Sequence, residues 1–88
     1  MNMENLTQAF EQAQQDVKTL TSRPSNDDLL SLYALFKQAT AGNAPAKGPS
    51  PFNFSAFAKH QAWSQLADSE ADNCMQQYID KVAQLLGR

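Results

Sequence analysis

The sequence predicts an all-α protein, a bundle of four amphipathic helices. Three observations lead there: four segments carry apolar residues at intervals of three and four, each segment is bounded by capping residues or proline, and no stretch alternates as a half-buried strand would. With 88 residues the chain has room for one domain spanning 1–88 and a modest core. No repeat is detectable.

In the first segment Leu6, Phe10, Ala13, Val17 and Leu20 form one apolar stripe, which ends before Thr21-Ser22-Arg23-Pro24. Ser25-Asn26-Asp27-Asp28 reads as an N-cap followed by acids in the first helical turn, where the helix dipole favours negative charge. The second helix is expected to run to about Thr40, stopped by Gly42 or Asn43 in a left-handed conformation. Three prolines and a glycine between Asn43 and Pro51 rule out a regular helix or central strand, so this stretch is a long loop. A third helix is expected from about Phe54 to Leu66, with Phe54, Phe57, Ala58, Ala62 and Leu66 inward. Asp68-Ser69-Glu70 then caps a fourth, whose stripe is Ala71, Met75, Tyr78, Ile79, Val82, Leu85 and Leu86.

Composition removes several classes of function. A formal charge of -2 lacks the basic surplus of a nucleic-acid binder. The single Cys74 cannot form an internal disulfide, which fits a reducing compartment. Met1-Asn2-Met3-Glu4-Asn5-Leu6 contains an acid and no apolar core of signal-peptide length, and no apolar run approaches a membrane span. A soluble, cytoplasmic protein that reaches membranes only transiently, if at all, and has no stable membrane insertion is therefore expected. Cys74 and His60 fall on different helices with no acid placed to complete a hydrolytic arrangement, so no catalysis is expected. Histidines, cysteines and acids are not clustered at ligand spacing, so no metal and no cofactor is expected either. Trp63 reads as a core residue and His60 as a surface or boundary histidine.

Within the second helix Leu29, Leu32, Phe36 and Ala39 account for a core stripe, while Leu30, Tyr33 and Lys37 fall on an adjacent line. That line runs from apolar to polar. It suits a ligand greasy at one end and anionic at the other, with the phenol and ammonium converging on one anionic group. It equally suits a tyrosine with its hydroxyl at the surface and a snorkelling lysine. Periodicity alone leaves both readings open.

The run Tyr33-x-x-Phe36-Lys37-Gln38-Ala39-Thr40-x-Gly42 resembles the second helix of the acyl-CoA-binding protein family, small intracellular carriers of long-chain acyl-CoA thioesters. Other motifs fall in register without a gap. Phe10, Ala13, Val17 and Leu20 resemble the family's first helix, and Pro24 the proline before its second. Lys59 and Trp63 resemble the lysine and tryptophan of its third helix, and Tyr78 with Lys81-Val82 its fourth. Joint order and spacing make the resemblance specific.

The resemblance implies an up-down-down-up bundle with the ligand in a bowl between helices. It implies that the Tyr33 hydroxyl, Lys37 and Lys59 hold the phosphate on the ribose of coenzyme A. Phe36 would pack on the adenine, and Tyr78 would meet the nucleotide and the start of the acyl chain. Ala13, Leu29 and Leu30 would line the acyl channel, and Lys18 would reach the phosphates from the first helix. Implied partners are long-chain acyl-CoA and, transiently, the enzymes that use it. Departures from the family pattern are His60 in place of a tryptophan, Ser55-Ala56 in place of lysine and glycine, and Asn43 in place of aspartate. Lys47, in the preceding loop, stands ready to compensate for the missing lysine. A monomer is expected, since each helix has about one apolar face to bury. The alternative function is a non-catalytic helical interaction module whose groove takes a partner helix.

Overall fold

The computed structural model describes the backbone from Met3 to Arg88 and the side chains from Asn5 onward. Of the opening segment read for targeting signals, Met1 and Asn2 lie outside the described residues. Four α-helices follow in order: α1 (Met3–Asp16), α2 (Asn26–Ala41), α3 (Phe54–Ser64) and α4 (Ala71–Leu85). They form an all-α bundle in up-down-down-up order, with no strand among the described residues. No helix among the described residues is long and apolar enough to cross a membrane.

The helices begin where local chemistry tells them to. Ser25 Oγ accepts a hydrogen bond from the Asp28 amide at 3.1 Å and caps α2, with Asp27 and Asp28 in its first turn. Asn53 caps α3 in the same way, its Oδ1 accepting from the Ala56 amide at 3.3 Å. Gly42 ends α2 at φ 79° and ψ −150°, a positive-φ conformation that glycine adopts and residues with a Cβ avoid.

Four sequence expectations are corrected here. The first helix stops at Asp16, and Val17–Thr19 tightens into a single 3-10 turn before Leu20 turns extended. The third helix stops at Ser64, before Leu66. Phe54 and Phe57 do not face inward: they are 78% and 36% exposed. Because α3 leans chiefly on α2, its contact face is the small-residue line of Ala58 and Ala62, and its first turn stands in water. Finally, the residue before α4 is Glu70, which makes no side-chain cap, and Ala71 is exposed. Asp68 is held elsewhere, at φ 67°, by Asn43, whose Oδ1 accepts from the Asp68 amide at 2.8 Å and whose Nδ2 donates to Asp68 Oδ1 at 3.1 Å.

The bundle measures 38 × 31 × 15 Å, its short dimension matching two packed helix layers. α4 packs on both α1 and α2, and the seam holds Phe10, Ala13, Leu32, Leu35, Cys74, Tyr78 and Val82. Tyr78 makes a T-shaped contact with Phe10 at 5.1 Å between centroids, and Phe36 stacks on Phe10 at 6.1 Å. Cys74 is fully buried, which pushes its thiol pKa up and removes it from redox or nucleophilic chemistry. Flanked by α3 as well as α4, α2 also buries Ala34, Leu35 and Gln38, none of them on the stripe expected from periodicity. Gln38 Nε2 donates to Asn43 Oδ1 at 2.8 Å and to the Ser69 carbonyl at 3.2 Å, tying the end of α2 to the α3–α4 link.

Candidate functional site

Two hollows open on the side of α2 that faces α3. The first, about 670 Å³, lies between the amino-terminal half of α2 and the start of α3, with Leu29, Leu30, Phe54 and Ala58 as its apolar walls and Arg23 at its rim. The second, about 480 Å³, lies under the proline-rich loop and includes Lys47, Gly48, His60 and Trp63. Tyr33, Ser55 and Lys59 line both. The hollows therefore share a wall and form one trough, with its leucines at the α2 start and a basic side chain at each stage of its length, Arg23 at the α2 start, Lys59 in the shared wall and Lys47 at the loop.

Charge separates this trough from a third hollow of about 570 Å³ on the α3–α4 side. That one contains Lys81, but the Lys81 ammonium is 2.6 Å from Asp28, and the pairing holds the Asp28 carboxyl below its ordinary pKa. No carboxylate lines either half of the trough. Among the described residues, Arg23, Lys37, Lys47 and Lys59 have no carboxylate within ion-pair reach.

Two of these cations, Lys37 and Lys59, rest on aromatic faces. Lys59 Nζ lies 5.4 Å from the centroid of the Tyr33 ring, and Lys37 Nζ lies 4.9 Å from that of Trp63. Such contacts hold an ammonium in place and leave its donors free to meet an anion. Trp63 is half-buried rather than core, and its indole N–H donates to the Gly42 carbonyl at 2.7 Å, fixing the ring that supports Lys37. His60 is a loop tether: its Nε2 is 2.7 Å from the Pro45 carbonyl and its Nδ1 3.5 Å from Ser64 Oγ. Gly48 permits that approach, since a Cβ there would stand 2.5 Å from His60 Nδ1.

Of the residues singled out in the sequence, Tyr33, Lys59, Leu29 and Leu30 line the trough, and Lys37 adjoins it through Trp63. Ala13, Phe36 and Tyr78 line neither half: Ala13 and Tyr78 are buried in the α1–α4 seam, and half-buried Phe36 packs against it. Burial also raises the Tyr78 phenol pKa, so it stays neutral. Lys18, on the 3-10 turn, is exposed and lines neither half. Sequence reasoning missed Arg23, Phe54 and Ala58; a basic residue just before Pro24 was the available signal for the first.

The profile of the family described as "Acyl CoA binding protein" matches residues 7–82 of the chain. The chain belongs to the acyl-CoA-binding protein family. An acyl-CoA-binding protein of Brassica napus is 44% identical over 81 residues, covering 92% of this chain and 88% of its own. Among solved structures, Acyl-CoA-Binding Protein 2 of Oryza sativa superposes with a TM-score of 0.90 at 38% identity, covering 96% of this chain and 91% of that one. The solution structure of the yeast acyl coenzyme A binding protein superposes with a TM-score of 0.72 at 38% identity, covering 92% and 94%. Acyl-CoA-binding proteins are binding proteins without catalytic activity. Among the described residues no group of histidine, cysteine and acidic side chains is placed to hold a metal.

Proposed function

We propose that this chain binds long-chain fatty acyl-CoA esters and carries them in the cytoplasm as a monomer, forming a buffered pool for acyl-CoA-using enzymes without itself catalysing a reaction. The observation that supports this reading is the trough with leucines at one end and, along its length, Arg23, Lys59 and Lys47 with no carboxylate in its lining, its halves joined at Tyr33 and Lys59. In this reading Tyr33, Lys37 and Lys59 hold the ribose phosphate, and Leu29 and Leu30 cover the acyl chain. Phe36 packs on the adenine, Tyr78 meets the nucleotide and the start of the acyl chain, Ala13 lines the acyl channel with the leucines, and Lys18 reaches phosphate from the 3-10 turn.

Both ends of the ligand are needed. Burying a methylene is worth about 0.8 kcal/mol, so a sixteen-carbon chain supplies roughly 10 kcal/mol of gross transfer energy. A bilayer supplies about as much. Preference for the CoA ester must come from the nucleotide end, where any other ligand leaves the cations and the phenol without a partner.

Titration calorimetry with palmitoyl-CoA, coenzyme A, palmitate and the palmitoyl-CoA analogue lacking the ribose phosphate tests the proposal. The full ester is expected far ahead of the others, and Lys37→Ala is expected to lower its affinity by about tenfold or more. Equal binding of all four compounds would favour an interaction module, and wild-type affinity in Lys37→Ala would remove Lys37 from the site.

A further inference from the structure

Three of the five phenylalanines are not used by the core. Phe52, Phe54 and Phe57 are 89%, 78% and 36% exposed at the amino-terminal tip of α3. Phe52 precedes the Asn53 cap and Phe57 is the fourth helical residue, the two positions at which apolar side chains commonly staple a helix start. Here they do not close on each other, because the Phe52 ring is almost wholly in water. Phe54 and Phe57 lie three apart and share a side of the helix.

The tip is also the rim of the cationic trough. Phe54 walls the half that holds Arg23 and Lys59, and Asn53, Ser55 and Ala56 line the half that holds Lys47. The chain carries a formal charge of -2, yet this rim presents three cations and no lining acid. An anionic partner is therefore attracted to this side in particular. Three rings on a helix tip make a wedge, neither a groove nor a flat face, and a wedge suits a partner that is fluid and deformable.

We propose that this tip docks on the surface of a bilayer containing anionic lipid. Phe52, Phe54 and Phe57 enter the boundary between headgroups and acyl chains, where aromatic side chains are favoured, while Arg23, Lys47 and Lys59 face the negative headgroups. The contact is peripheral and reversible, with the greasy half of the trough opening toward the bilayer. It does not depend on the proposed function, since the unliganded protein docks by itself.

The test is co-flotation of the unliganded protein with phosphatidylcholine vesicles, with and without phosphatidylserine. The wild type is expected to float with the phosphatidylserine vesicles, to be released as salt is raised, and to stay behind with phosphatidylcholine alone. Phe52→Ser/Phe57→Ser is expected to lower the bound fraction by about tenfold or more, with helicity by circular dichroism and palmitoyl-CoA affinity as in the wild type. If the double variant loses helicity, Phe52→Ser alone, outside the helix, gives the reading. Failure of the wild type to float, equal flotation on neutral vesicles, or wild-type flotation of the variant overturns the inference. Loss of palmitoyl-CoA binding by every protein, wild type included, bears only on the proposed function.

Discussion

Replacing Lys59 with alanine separates what this side chain does for the fold from what it does for a ligand. Its Nζ lies 5.4 Å from the Tyr33 ring centroid and the residue is exposed, so the contact contributes about 0.5–1 kcal/mol to stability. A charged donor meeting a phosphate is worth more, about 1.5–3 kcal/mol. At about 1.4 kcal/mol per factor of ten, Lys59→Ala should weaken palmitoyl-CoA by about 10- to 150-fold, while urea unfolding moves by less than about 1 kcal/mol. The assay is calorimetric titration of wild type and variant with palmitoyl-CoA and with the analogue lacking the ribose phosphate. If Lys59 meets that phosphate, deleting the phosphate weakens binding by about 10- to 150-fold more in the wild type than in the variant, where Tyr33 and Lys37 still meet it, and that difference is the coupling of a double-mutant cycle. A variant that still discriminates between the two ligands as strongly as the wild type refutes the reasoning.

Gly48→Ala should drive the His60 ring off the Pro45 carbonyl, since the new Cβ would stand 2.5–2.9 Å from three ring atoms. A loss of about 0.5–1.5 kcal/mol is expected in urea unfolding, and it should vanish in a His60→Ala background; an undiminished loss there would break the assignment of His60 as tether. Acid stability is set in part by Asp28, whose carboxyl pKa is held below its ordinary value of 3.8, chiefly by the Lys81 hydrogen bond with help from the Ser25 side chain. A lowered folded-state pKa gives stability that is present above 3.8 and lost as pH falls through the lower, folded value. Asp28→Asn should therefore lower thermal stability at neutral pH and flatten its decline at the acid end; an unchanged acid limb would refute this.

The helices were legible because their signals are local. The Ser25 cap, the acids behind it, Gly42 and the proline-rich loop each act within a few residues, and the structure puts the α2 boundaries within one residue of the expected ones. The same holds for the family motif, because Tyr33 and Lys37 are neighbours on one helix whatever surrounds it. What periodicity could not tell is which apolar residues find a partner. Phe54 and Phe57 fit an inward pattern as well as Ala58 and Ala62 do, but α3 packs chiefly on α2, and its amino-terminal tip has nothing to pack against. Nor does the spacing show that Gln38 is buried, with its Nε2 donating to the Asn43 side chain and to the Ser69 carbonyl.

The trough itself is a tertiary product. Lys59 comes to Tyr33, and Trp63 to Lys37, across a connection of more than ten residues that carries no helical period. By itself the sequence determined four amphipathic helices, their caps and the chemistry of the α2 face, since these depend on spacing along the chain. Only the packing of α3 against α2 decided that the cations gather without acids on one side and that three phenylalanines remain outside, because burial and charge pairing depend on distances between segments that a linear pattern does not contain.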